Sequence, residues 1–180
     1  MSSALLISFL AALTAGDIAP LAGNWTQKSS GPELTLTPKI KIMPSMAATG
    51  FAIGTSGYGG SQTTTTIQNE YSSVPTDRAM TLSVRTDGSF TWVIDKSRAS
   101  GKPGCKVVTR EEKTGVVRAA DGRATFQISG GSNSTRDTCD PAKTSASAKP
   151  ASSETYSYAV SPAGLKISGS GGVNWAFSPR

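Results

Sequence analysis

Residues 80–95 read MTLSVRTDGSFTWVID, and this stretch decides the fold. Met80, Leu82 and Val84 alternate with polar residues into Asp87-Gly88; Phe90, Trp92 and Ile94 alternate out again. A period of two puts each apolar set on one face of a strand. Asp-Gly between two such runs is a strong hairpin signal, because both turn residues tolerate positive φ. The same grammar recurs at 113–129, KTGVVRAADGRATFQIS, where Asp121-Gly122 separates Val116 and Val117 from Ala124, Phe126 and Ile128. A third hairpin is expected in 156–177, YSYAVSPAGLKISGSGGVNWAF, turning at 161–164 and again at 169–172. Toward the N-terminus, 33–43 (ELTLTPKIKIM) alternates with Leu34, Leu36, Ile40 and Ile42 on one side. Pro38 suits an edge position or a bulge. No amphipathic helix pattern is present. About eight strands in consecutive antiparallel order predict an all-β protein, an up-and-down barrel, with a sandwich as the second arrangement.

Composition agrees. The chain has 180 residues, enough for one domain with its own core. It is lightly charged (17%) and carries 19 glycines, a mixture that suits short strands and turns better than helices. Its formal net charge of +6 is compatible with an anionic partner. Histidine is absent, which removes Ser-His-Asp and Cys-His catalysis and His-ligated zinc. Glu111 and Glu112 are adjacent, so on a strand they face opposite sides and do not form a catalytic pair. Asp137 and Asp140 match no calcium-loop spacing. The expectation is a non-enzyme needing neither cofactor nor metal.

The front of the chain carries an apolar run at 5–13, of signal-peptide length and too short to span a bilayer, followed by LTA before Gly16. Residues 1–15 are therefore expected to be a signal peptide and 16–180 one barrel domain, exported to the periplasm or secreted, with no transmembrane segment in the mature chain. Two cysteines fit an oxidising compartment, and Cys105 and Cys139 are expected to form a disulfide. The stretch 130–153, GGSNSTRDTCDPAKTSASAKPASS, has no apolar periodicity and is expected as a flexible loop tethered at Cys139.

LAGNWTQ at 21–27 opens the folded part with Gly23-x-Trp25. With RTDGSFTWVI, the Asp121-Gly122 hairpin, TYSYAV, LKIS and the terminal aromatic strand, it resembles the bacterial lipocalin-like secreted proteins, barrels of the calycin type. The resemblance covers roughly 21–180. It implies that Trp25, admitted by Gly23, plugs the closed end of the barrel, and that Arg180 on the last strand lies across its ring as a cation–π partner.

An eight-stranded barrel is either filled or holds one small ligand. Interior positions would be Leu34, Leu36, Ile40, Ile42, Phe90, Trp92, Ile94, Phe126 and Ile128. The candidate contacts for a small apolar or amphipathic ligand are Phe90, Trp92 and Phe126, with Tyr58 in the glycine-rich 54–62 loop as a lid. The rival reading is an envelope or extracellular structural or interaction protein with a filled core. A basic segment, Lys96, Arg98, Lys102, Lys106 and Arg110, offers an anionic envelope polymer a binding surface. It lacks the interleaved aromatics of a single-strand binder, so no specific nucleic-acid partner is expected.

Overall fold

In the computed structural model, the residues described are 18–45 and 62–180. The expected signal peptide at 1–15, the short strand around Phe51 and Ile53, and the Tyr58 lid lie outside them. The strands are β1 (Gly23–Ser45), β2 (Gln62–Val84), β3 (Ser89–Ala99), β4 (Lys106–Ala120), β5 (Arg123–Asp137), β6 (Asp140–Ala148), β7 (Ser152–Ser161), β8 (Gly164–Ser168) and β9 (Asn174–Pro179). Their order is β4-β3-β2-β1-β9-β8-β7-β5-β6, and a β4–β5 pairing closes the ring. Eight strands thus form a closed antiparallel barrel with up-and-down connectivity, compatible with a calycin-like fold. The ninth, β6, stands beside β5 outside the ring.

The expected turns are all present. At the first, Asp87 accepts from the Ser89 backbone N–H at 2.8 Å and from its hydroxyl at 2.7 Å. These bonds hold the exposed Asp87 carboxyl below the usual carboxylate range. At the second, Asp121 and Gly122 take φ of 50° and 71°, the left-handed pair that matches the twist of the flanking strands. Closure is made by the chain ends: Trp25 pairs with Pro179 and Thr26 with Ser178, while the Arg180 backbone N–H donates to the Asn24 carbonyl at 2.9 Å.

The chain divides into two compact units, residues 31–75 and the remainder. In the larger one, Leu21, Leu82, Trp92, Ala124, Phe126, Leu165 and Ile167 are wholly buried, with Met80, Val117 and Phe177 nearly so. Aromatic edges interlock there. Phe126 lies 5.0 Å from Phe90 and 5.3 Å from Trp92, and Trp92 lies 5.3 Å from Trp175.

Two expectations are corrected. Leu34, Leu36, Ile40 and Ile42 are not interior; each is more than half exposed, because β1 and β2 run on as a long ribbon in the 31–75 unit. Nor is 130–153 an irregular loop. Its first part continues β5, and residues 140–148 return as β6. Backbone pairing needs no apolar period, and the exposed Ser, Thr and Ala of β6 leave none to read. The disulfide is formed: Cys105, after the β3–β4 loop, is bonded to Cys139 in the β5–β6 turn.

Candidate functional site

The site is built on the register of β3 and β4. Trp92 is opposite Lys113 and Ile94 opposite Glu111, so two charged side chains enter the row that faces the interior. Between Thr114 and Gly115 the β4–β5 register shifts. Next to this bulge, Gly131 pairs with Lys113 at φ 140°, where an added Cβ would overlap the Glu112 carbonyl. Only glycine lets β5 approach β4 this closely.

Lys113 is 5% exposed, and its ammonium stands 5.3 Å from the centre of the Trp92 ring. That distance is within cation–π range. Its Nζ donates to both oxygens of Glu154 on β7, at 2.8 and 2.9 Å, and lies 3.7 Å from Glu111. Glu154 also accepts from the Tyr156 hydroxyl at 2.9 Å. The connector from β6 to β7 adds Lys149, whose Nζ donates to Glu111 at 2.6 Å; its backbone N–H is held by the Gly131 carbonyl. The result is a chain of charges, Lys149–Glu111–Lys113–Glu154–Tyr156, over the aromatic floor of Trp92, Tyr156 and Trp175.

Electrostatics follow from that packing. Burial pushes the Glu111 carboxyl up, but the Lys149 hydrogen bond and the fields of Lys113, Lys149 and Lys96 outweigh it, leaving it below the ordinary range. Burial first, then the bond to the Glu154 carboxylate, raises the Tyr156 phenol well above its ordinary value. The bonded chain itself pairs two lysines with two carboxylates, and Lys96 adds a further positive field at Glu111. The Trp92 Nε1–H is buried beneath it without a hydrogen-bond partner.

Of the expected contacts, Phe90, Trp92 and Phe126 come together, but as core, 4%, 0% and 0% exposed. Trp92 lies under the Lys113 ammonium, and Phe126 meets the cluster through the Tyr156 ring at 6.0 Å. Trp25 is buried, and its indole N–H donates to the Leu21 carbonyl at 2.9 Å. Arg180 is exposed, and the cation–π contact seen among the described residues is that of Lys113 on Trp92. Adjacency sets Glu111 and Glu112 on opposite faces, as expected. Glu111 instead accepts from Lys149 and forms an ion pair with Lys113 at 3.7 Å, a role that strand parity alone does not reveal.

The basic segment has a different setting. Arg110 lies 3.3 Å from Asp95 on exposed surface. An open groove of about 520 Å³, lined by Lys28, Asp77, Ala79, Asp95, Lys96 and Val108 among others, abuts a second lined by Arg110, Ser134 and Arg136. Both share Asp95 and Val108, forming one continuous track. No group of three or more metal-ligating side chains exists among the described residues. Among them, too, no helix is long and apolar enough to cross a membrane. Comparison with protein-family models, curated proteins and solved structures finds no match to this chain.

Proposed function

We propose that the protein is an exported, non-catalytic, lipocalin-like binding barrel whose ligand is a small amphipathic anion. The observation that carries this reading is the meeting of a lysine–carboxylate cluster centred on Lys113, with the field of Lys96 added at Glu111, and the aromatic floor of Trp92, Tyr156 and Trp175. A carboxylate or sulfonate head would exchange with Glu111 on Lys149, the more exposed pair, while its apolar part lies on Tyr156 and Trp175. Export is supported by the Cys105–Cys139 bond, which persists in oxidising compartments.

Titration with a fluorescent fatty-acid analogue tests the proposal. Saturable binding is expected, weakened about tenfold by Lys149→Gln, a change of about 1.4 kcal/mol. Glu111→Gln should tighten it, and the matching neutral alcohol should bind more weakly than the acid. Absence of saturable binding to folded protein overturns the reading.

A second reading rests on a separate observation. The core is filled by interlocked aromatics, and the continuous track through Asp95 and Val108 brings Lys28, Arg110 and Arg136 onto an open surface. This suits an envelope interaction protein that holds an anionic polymer along the 96–110 segment. Retention on a sulfated polysaccharide, lost in Arg110→Gln with Arg136→Gln, distinguishes it.

A further inference from the structure

The described parts of the 31–75 unit, 31–45 and 62–75, form a two-stranded ribbon with unlike faces. Lys39 and Lys41 both reach Glu70, at 2.9 and 3.8 Å, which marks one face as polar. With side chains alternating, Leu34, Leu36, Ile40 and Ile42 of β1 and Ile67 and Tyr71 of β2 fall on the other. Their exposures run from 51% at Leu36 to 75% at Tyr71. A two-stranded ribbon is marginal in water by itself. Among the described pairings β3 meets β2 from Thr76 onward and β9 meets β1 at Trp25 and Thr26, so neither adds a third strand to 31–75. The ribbon therefore offers an apolar face.

We infer that this face is covered by the same face of a second copy of the chain. Three observations select that occupant. Six large side chains at these exposures present on the order of 700 Å² per copy, close to the roughly 800 Å² per partner of a specific interface. The apolar stripe is complementary to itself, as a two-fold interface requires. Charge agrees: within 31–75 Glu33 and Glu70 balance Lys39 and Lys41, whereas the whole chain carries +6. Two copies meet through a neutral region without repulsion, and a neutral ribbon gains nothing from an anionic lipid surface.

Sedimentation of the full chain across a concentration series tests this, with the tryptophan emission as a fold control. All three tryptophans, Trp25, Trp92 and Trp175, lie outside 31–75. A reversible dimer is expected, and Ile40→Lys with Ile67→Lys should weaken it at least tenfold at unchanged emission. Tyr71→Thr, which keeps strand propensity, should weaken it by a smaller factor and serves if the double variant misfolds. The inference is overturned by a protein that stays monomeric to about 100 μM, well above the micromolar range such an area supports. It is equally overturned by a dimer indifferent to these changes, or by a monomer that co-sediments with neutral phosphatidylcholine vesicles.

Discussion

Lys113 shows how one side chain couples core to function. Its stem and ammonium cover Trp92 while Glu154 and Glu111 lie against it, so a buried polar head is paired and hydrogen-bonded in an aromatic setting. Lys113→Met removes a charge-assisted bond and leaves the carboxylates facing the core; unfolding should become easier by about 2–3 kcal/mol in denaturant titrations. Glu111 sets an acid limit. Its folded pKa lies below the unfolded value, so its contribution to stability is complete above pH about 4.5 and drains away as pH falls through the folded pKa. Melting temperatures recorded from neutral pH downward should decline less steeply in Glu111→Gln. Tyr156 acts at the other end of the scale. With its folded pKa raised, its contribution is intact below pH about 10 and lost as pH rises beyond it. In an absorbance titration one tyrosine should ionise late, and Tyr156→Phe should abolish that late step.

At the level of elements, the disulfide joins two turns that residues 105–139 separate in sequence by 34 positions. The chain-entropy model values such a loop at about 3–4 kcal/mol. Because β6 is exposed along nearly its whole length and pairs with β5 alone, it depends on this link more than any ring strand does. Reduction should therefore speed amide exchange in β6 and the distal half of β5 while leaving exchange at Trp92 and Phe126 slow. Uniform acceleration across the barrel would contradict this hierarchy. These elements also show where sequence reading stops. Asp87-Gly88 and Asp121-Gly122 announce their hairpins because local turn chemistry dictates them. β6 and the β2 side of the ribbon announce less, since DPAKTSASA and TTTTIQNE carry no apolar period and bury little.

Across the whole molecule, the closed ring joins what the sequence keeps farthest apart. Trp25 and Pro179 become neighbours, and seven strands contribute buried side chains to the core. The charge pattern at this scale, +6 overall with a neutral 31–75 region, places self-association in the ribbon and anion attraction elsewhere. High salt should thus weaken binding of an amphipathic anion while leaving dimerisation unchanged, a contrast that sedimentation and ligand titration at two ionic strengths will read. From the sequence alone came the strand class, the Asp-Gly and Gly-rich turns, the paired cysteines and the core positions Phe90, Trp92, Ile94, Phe126 and Ile128, since all of these arise from periodicity, local φ preferences or counting. The tertiary structure alone decided that Leu34 and Ile40 face outward and that Lys149 arrives from a distant connector to bind Glu111. It also decided that Lys113 lies against Trp92. Alternation tells which residues share a face, but which face turns inward, and which charges meet there, depends on partners dozens of residues away.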